Sequence, residues 1–570
     1  MRETHSERAD DIPVIIHWLQ QMEIEQLIDQ ELPPPHGNRQ GLSYGQLAIL
    51  LLTYIISQGD HRLCAVEPWV VLHHHTLEWS TGWKIGLKDA TDDRLADLLK
   101  QLGSDEHQAI ESIFTQLGKH LIRAHELPTE EARSDTTSFS VYHQPQNSIE
   151  GESLLNFGYS KDRRPDLRQY RQMLATLDPL ALPLLGATLP GQGTDESHYL
   201  PTWRNLAEII GHKKFLFLAD SKASSWANRA QISAEGGIYI FPLAMTQPRP
   251  KILFDWLNNP PTEVREITVK DAEENNPALG QGFEMPLGSL WWDDNKQQWH
   301  RWSERWLAVC SYALRERQIK GLSQRLVKAE LALEKLAVRP GKDRKILEKK
   351  VGEIKQRYRV SKYLVEQINS KTHYEKVYEG SGRPNSQTPF RRVRQTTLSL
   401  TYKRCEAEIE AFQAVAGWRL YVTNASVERL SLEKAVFSYR EQWQPERGFH
   451  RFKRGCLPAL PVYFQDEKKI RGLMFLLTIA LQVFTLMEFV VYRQLAAQKQ
   501  SLAGLYEGNP KRTTERPTAE RLLAAFREIT LYFHQDGSTE ITPLNALQQR
   551  ILTLMKVSES IYILPSLVPE

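Results

Sequence analysis

Residues 439–455 read YREQWQPERGFHRFKRG, and how this stretch is folded decides how the rest of the chain is read. Tyr439, Trp443, Glu446, His450 and Lys453 recur at steps of four, three, four and three residues. On a continuous helix that spacing sets an aromatic pair, a carboxylate and a lysine along one stripe. A stripe destined for a core would carry leucine and valine. This one carries groups that can hold a metal, meet a phosphate or stack on a base, although alone it also fits an amphipathic surface helix with an aromatic edge. Pro445 stands directly before Glu446. Proline is accommodated in a first helical turn but not in an interior, so the helix either starts near Gln444 or bends there.

The chain has 570 residues, enough for several domains and a sizeable core. Its hydrophobic content of 41% and charged content of 25% are ordinary for a globular protein. A net charge of +3 does not announce nucleic-acid binding, so any such role must rest on where the charge sits. Cys64, Cys310, Cys405 and Cys456 are scattered and form no CxxC pair, which argues against a zinc site or a disulfide framework and suits a reducing cytoplasm. The polar start MRETHSERADD lacks the apolar core of a signal peptide. Gly472–Tyr492 is long enough to span a membrane, but it contains Gln482 and Glu488 and has no companion, so a core helix is expected.

Up to about residue 127 the pattern is helical, with apolar steps of three and four over Val14–Leu32, Ser43–Gln58, Asp92–Leu102 and Asp105–His125, and Ser43 and Asp92 as N-caps. His73-His74-His75 has no metal-ligand partner pattern nearby and reads as a solvated turn or helix end. From Arg133 the period changes. SDTTSFSVYH (134–143) reads as a strand, RQYRQMLATL and LALPLLGATL as a hairpin about Asp178-Pro179, and KKFLFLAD (213–220) and GGIYIFPL (236–243) as further strands. Helices over 199–210 and 224–234 complete an α/β layer with a mixed sheet.

About 170 residues then interrupt this layer. Val264–Leu290 reads as loops and short strands. Leu314–Val338 and Lys342–Asn369 read as a helical hairpin whose second arm is basic, either a solvated face or a phosphate-tracking arm. Gly380–Arg394 reads as a mobile basic loop. GWRLYVTN (417–424) is a strand, Gly508–Thr514 a linker, and Pro517–Tyr532 and Leu544–Lys556 are helices.

Three acids fall where this order places functional groups: Asp135 early in the first strand, Asp220 at the end of an apolar strand, and Glu446 in the opening stretch. Carboxylates brought from two strands and a helix are a hard-oxygen donor set suited to Mg²⁺. Two such ions about 4 Å apart activate a water or a 3′-hydroxyl and stabilise the leaving oxygen of a phosphodiester. Singly, Asp135 also fits a turn, Asp220 a helix cap and Glu446 a surface ion pair.

With these residues in place, the chain resembles the DDE transposases of bacterial insertion sequences, which share the RNase H-like fold of retroviral integrases. It resembles in particular the branch with a Tyr, Arg, Glu, Lys pattern on the catalytic helix. In that pattern Arg lies three residues after Tyr, Glu four after Arg and Lys seven after Glu; Tyr439, Glu446 and Lys453 fall at those positions. Gln442 stands where the pattern has Arg, so Arg440, Arg447 or Arg451 is left to supply its phosphate contact. SDTTSF around Asp135, FLFLADSKASS around Asp220 and GYSKDRRPDLRQ (158–169) resemble further stretches of these proteins, as does the long interruption before Glu446.

The resemblance implies an α/β RNase H-like catalytic core, a mixed sheet flanked by helices. A large insertion would separate its last strand from the catalytic helix, with helical N- and C-terminal regions outside it. The corresponding segments are a DNA-end-binding region at 1–127, core at 128–243, insertion at 244–415, core with the catalytic helix at 416–500, and a C-terminal helical region at 501–570. The implied activity is cut-and-paste DNA transposition by Mg²⁺-dependent hydrolysis and strand transfer. Asp135, Asp220 and Glu446 would bind two Mg²⁺ ions, with Mn²⁺ able to substitute. Among the DNA-contact positions Tyr439, Arg440, Gln442, Trp443 and Lys453, the resemblance gives Lys453 and Arg440 a phosphate and Tyr439 and Trp443 a displaced base.

Packing beneath the catalytic helix is the alternative for Trp443, and Trp291, Trp292, Trp299, Trp302 and Trp306 compete for the stacking role. The implied partners are double-stranded DNA, as terminal inverted repeats and target, and a second copy of the chain on that DNA. The implied location is the bacterial cytoplasm at the nucleoid. A metal-dependent nuclease without strand transfer, an inactive transposase-derived DNA-binding protein and a membrane-anchored helical scaffold are the rivals.

Overall fold

The computed structural model describes residues 5–35, 40–104, 106, 108–142, 153–161, 164–246, 248–268, 278–379, 381–441, 443–536 and 538–564, except the side chains of 443–445. The chain forms two compact units. One comprises Met1–Phe241, Gly288–Trp302 and Phe437–Glu570; the other comprises Pro242–Leu287 and Ser303–Val436.

The first unit is mixed α/β. Five strands of its main sheet, β1 (Glu131–Val141), β2 (Arg168–Leu177), β3 (Leu182–Pro190), β4 (Leu216–Leu218) and β5 (Ile238–Pro242), lie in the order β3-β2-β1-β4-β5. β1, β2 and β3 are antiparallel neighbours, whereas β4 runs parallel to both β1 and β5. The sheet is therefore mixed and flanked by helices. β2 is buried along nearly its whole length, as a strand covered on both faces must be.

Helix Glu467–Gln498 packs on β3 and supplies much of the core. By length and composition it could cross a membrane, yet 94% of its apolar window is buried within the protein. Two of its buried polar side chains find partners inside the protein: Gln482 Nε2 donates to the Pro183 carbonyl at 2.8 Å, and Glu488 accepts from Arg451. Gly472 lets this helix cross helix Asp92–Leu102 closely, because a Cβ there would lie 2.2 Å from the Leu99 carbonyl oxygen.

Several local expectations change. The span Val14–Leu32 is two helices, Ile12–Gln21 and Ile24–Glu31, broken where Glu23 turns left-handed at φ 56°. The helix expected from Asp105 begins at Ala109. Thr91 rather than Asp92 occupies the N-cap, while Ser43 caps helix Tyr44–Gln58 with a reciprocal Gln46 bond. The histidine tract joins helices Val66–Leu72 and His74–Thr81, and His75 Nδ1 lies 3.1 Å from Glu7. Of the helix expected over Pro517–Tyr532 only Ala519–Ala524 forms. Thr530–Phe533 is instead a strand pairing antiparallel with His5–Arg8, a partner more than 500 residues away that no local period could announce.

The second unit takes in β6 (Arg265–Ile267), the first half of β7 (Gly280–Asp293), the latter part of β8 (Gln298–Ser311) and β11 (Trp418–Thr423), in the order β11-β8-β7-β6. The 14-residue β7 replaces the loops expected there. The helical hairpin is real, Tyr312–Val338 followed by Arg344–Arg357, but its second arm stops well before Asn369. Leu364 instead opens β9 (Leu364–Tyr378), which pairs residue for residue with β10 (Phe390–Arg404). Most of the expected basic loop is thus the tip and one strand of a long β-ribbon, and Gly380 lies outside the described residues. Leu364, Leu398 and Leu400 seat the base of the ribbon on Leu322, Leu326, Leu333 and Val351 of the two helices.

Candidate active site

The register between β1 and β4 sets the first two acids. Arg133 lies opposite Leu218 in this parallel pair, and two residues further along each chain come Asp135 and Asp220. Neighbouring strands run about 4.8 Å apart, so equal register brings both carboxylates to one place at the carboxyl end of β4. Asp220 leaves the strand to cap the short turn Ser221–Ser224, accepting from the Lys222 backbone N–H at 2.9 Å, and also accepts from the Tyr199 hydroxyl at 2.8 Å.

Glu446 comes from helix Trp443–Arg454, which packs on β1. Asp135 and Phe139 point to the same side of β1, four residues or about 13 Å apart. Glu446 and Lys453 lie on one side of the helix, seven residues or about 10 Å apart. The Lys453 ammonium sits 5.4 Å from the Phe139 ring centre. With that end fixed, the matching spacings bring Glu446 towards Asp135.

Buried contacts hold the helix there. A Cβ on Gly448 would lie 2.9 Å from Leu481 Cδ2, so glycine allows the close approach to helix Glu467–Gln498. Arg451 is buried, pairs with Glu488, and donates to Glu520 Oε1 at 2.8 Å. Ahead of the helix, Ser438 donates to Glu131 at the start of β1 at 2.9 Å, and Glu441 lies 3.9 Å from the buried Arg133 guanidinium.

Electrostatics register the neighbouring charges. Partial burial pushes the Asp135 carboxyl up to about 6; the Lys161 ammonium and the Thr136 N–H pull it back, while the neighbouring carboxylates of Asp220 and Glu446 push it up again. Lys161 Nζ stands 3.9 Å from Asp135 Oδ1 and donates to the Thr136 carbonyl. Burial, then the charge and hydrogen bond of Asp220, raise the Tyr199 hydroxyl far above its ordinary value, with Asp195 and Asp135 adding to the effect. Asp195, itself buried, is neutralised by Arg171 and by Lys222 Nζ at 2.7 Å.

Four groups around the acids were absent from the sequence-level set: Lys161, Tyr199, Asp195 and Lys222. Lys161 lies in GYSKDRRPDLRQ and Lys222 in FLFLADSKASS, so the signal for both was their proximity to the recognised stretches. Nothing local marks Asp195.

The single stripe from Tyr439 to Lys453 does not exist. Two helices, Leu432–Arg440 and Trp443–Arg454, meet there, and the second starts ahead of Pro445 as a proline in the first turn requires. Tyr439 therefore belongs to the preceding helix, half-buried, with Arg440 exposed beside it. Gln442 and the Trp443 side chain lie outside the described residues. Arg451 is unavailable for a phosphate because it is buried between two glutamates, and Arg447 leans on Glu488 at 3.6 Å. Arg440 and Arg447 are exposed, whereas Arg451 is buried.

Among the described residues, no three acid, histidine or cysteine side chains are gathered tightly enough to enclose one ion. Asp135 instead faces an ammonium and Asp220 a phenol and a backbone N–H. The donor chemistry nevertheless fits a hard divalent cation: three carboxylates of distinct elements, with the Lys161 ammonium standing in as a cation against the first. No family model matches the chain, and no curated protein matches it.

Proposed function

We propose that this protein is a DDE transposase with an RNase H-like core, acting on double-stranded DNA at the ends of a mobile element in the bacterial cytoplasm. What supports the reading is that Asp135 and Asp220 stand level on adjacent parallel strands, while the helix that carries Glu446 packs alongside the first of them.

Asp135, Asp220 and Glu446 would hold Mg²⁺, or Mn²⁺ in its place, which when bound activates the attacking oxygen and stabilises the departing one. The chain's own groups prepare that place. Tyr199 orients Asp220 through a hydroxyl whose proton is held firmly, so it acts as a fixed donor. Lys161 neutralises Asp135 and lies within reach of a backbone phosphate, as does the half-buried Lys453 further along β1. Arg440 is exposed ahead of the helix and suited to a further phosphate. The two ends of an element must be held together, so the active assembly is a homodimer on DNA.

The test is incubation of the purified protein with labelled element ends, with and without Mg²⁺, followed by mapping of the breaks. Cleavage and joining of supplied 3′-hydroxyl ends is the expected result. Cleavage without joining would make the protein a nuclease; Mg²⁺-independent breakage, or breakage that survives Asp135→Ala, would remove the reading.

A further inference from the structure

The helices Tyr312–Val338 and Arg344–Arg357 hold only the base of the β9–β10 ribbon. There Leu364, Leu398 and Leu400 are buried, Lys355 pairs with Glu366 at 2.5 Å, and Arg404 grips Glu330 through two bonds of 2.7 and 2.8 Å. Beyond Ser370 the first strand is exposed at every residue to its end. Each strand has 15 residues, so the ribbon is about 50 Å long, and roughly half of it stands clear of its support.

The register sorts the free half into two unlike faces. Directly opposed residues share a face, and the pairs Tyr374↔Arg394, Lys376↔Arg392 and Tyr378↔Phe390 follow one another on the same side. That side therefore carries three cations and three aromatic rings and no acid. Glu375 lies on the other side, where it accepts from Gln395 at 2.8 Å. Tyr374 is 67% exposed, and Tyr378 and Phe390 are 43% exposed each, too open for a core. Lys376 Nζ rests 4.5 Å from the Phe390 ring centre, which holds the ammonium on this face. Lys376 and Arg392 stand directly across from each other, and like charges so placed destabilise a strand pair. An external polyanion removes that cost.

We infer that this face, formed by Tyr374, Lys376, Tyr378, Phe390, Arg392 and Arg394, is a duplex-DNA-binding arm. A two-stranded ribbon has the width that the major groove admits. Three cations on one face with no acid beside them, Arg392 and Arg394 on one strand and Lys376 on the other, match a phosphate backbone, and tyrosine hydroxyls add neutral contacts to phosphate and sugar. The choice of DNA rests on the transposase reading and deepens it by adding a DNA-contact element outside the unit that carries the acids.

The test uses the full-length protein and a fluorescein-labelled duplex, with binding followed by anisotropy over a series of salt concentrations. Each phosphate neutralised contributes about 0.9 to the slope of log affinity against log salt, so K376Q/R392Q/R394Q is expected to flatten the slope by up to about 2.7 and to weaken binding at least about tenfold at 0.1 M salt. A second variant, Tyr374→Ala with Tyr378→Ala, is expected to weaken binding with the slope kept. An unchanged slope and affinity in the charge variant overturns the arm, and so does tighter binding of polyglutamate than of duplex by the wild type. The two readings fail separately. Wild-type protein that binds duplex through the ribbon but makes no Mg²⁺-dependent breaks removes the transposase and keeps the arm. Breaks with an unaltered salt slope in the charge variant do the reverse.

Discussion

Helix Trp443–Arg454 and the β9–β10 ribbon are both strongly basic, yet they keep their charges in opposite ways. The helix buries Arg451 between Glu488 and Glu520, presses Gly448 against Leu481 and lays Lys453 over Phe139. The ribbon leaves Lys376, Arg392 and Arg394 in solvent and sets two of them against each other. A carboxylate that must meet two others needs a backbone fixed from behind, which only buried contacts supply. Groups that follow a phosphate chain need reach and sign, and rigidity adds little. Charge spent on architecture and charge held for a partner are therefore distinguishable by what lies behind each cation.

The sharpest way to break this contrast is at the acids themselves. Asp135→Asn, Asp220→Asn and Glu446→Gln each remove a charged donor and are expected to lower Mg²⁺-dependent cleavage by more than about 100-fold, beyond the usual loss from altering a supporting group, while duplex binding by anisotropy stays intact. Loss of binding in all three would show that they are structural. Next comes Arg451→Met, which leaves the buried Glu488 and the half-buried Glu520 without the guanidinium they share. Breaking such a pair from one side costs roughly 3–5 kcal/mol, to be read as a lower urea midpoint, and cleavage should fall with it as Glu446 loses its support.

The same cluster carries a pH signature. Burial alone would raise Glu520, but the Arg451 guanidinium overrides it and holds the carboxyl at about 2. A carboxyl depressed in the folded state stabilises the fold fully above its ordinary value near 4.5, and that contribution is lost as pH falls from there towards about 2. Wild-type urea midpoints should therefore fall between pH 6 and pH 3, and by less in Arg451→Met. An equal fall in both proteins would separate Glu520 from Arg451.

The contrast also explains what the sequence disclosed. The core strands were legible because each is a short apolar or β-branched run with its partners close along the chain, as for RQYRQMLATL and LALPLLGATL. Asp135 and Asp220 were legible as strand-associated acids, although their common level rests on a parallel register that no local pattern contains. The ribbon escapes a local reading because residues 358–369 and 390–394 mix isolated apolar residues with charged ones, so neither period stands out; what makes 364–369 and 390–394 strands is fifteen consecutive pairings across a turn. Thr530–Phe533 failed for the same reason at greater range. Asp195 went unseen because its importance lies in Arg171, Lys222 and Tyr199 meeting around it.

Lys161→Met tests the middle ground, a cation that touches an acid without being buried. Its ammonium opposes any divalent ion approaching Asp135, and at about 4–6 Å with an effective dielectric near 40 that repulsion is on the order of 2–4 kcal/mol before screening. Screening leaves an expected tightening of Mn²⁺ binding of about tenfold, followed by the ion's paramagnetic resonance on titration. Weaker Mn²⁺ binding in Lys161→Met would mean that the lysine organises the carboxylates and does not compete with the ion.

The smallest effect is expected where the charges are most exposed. K376Q/R392Q/R394Q removes three cations, more than Arg451→Met does, from positions with solvent rather than packed atoms behind them. Surface changes of this kind stay within about 0.5 kcal/mol, and relief of the Lys376–Arg392 opposition should bring the sign to slight stabilisation at low salt. Raising the salt screens that opposition in the wild type too, so the two urea midpoints should converge as ionic strength increases. A midpoint that instead falls in the variant at every salt concentration would place these cations in the ribbon's own architecture, and the distinction between the two basic segments would be lost.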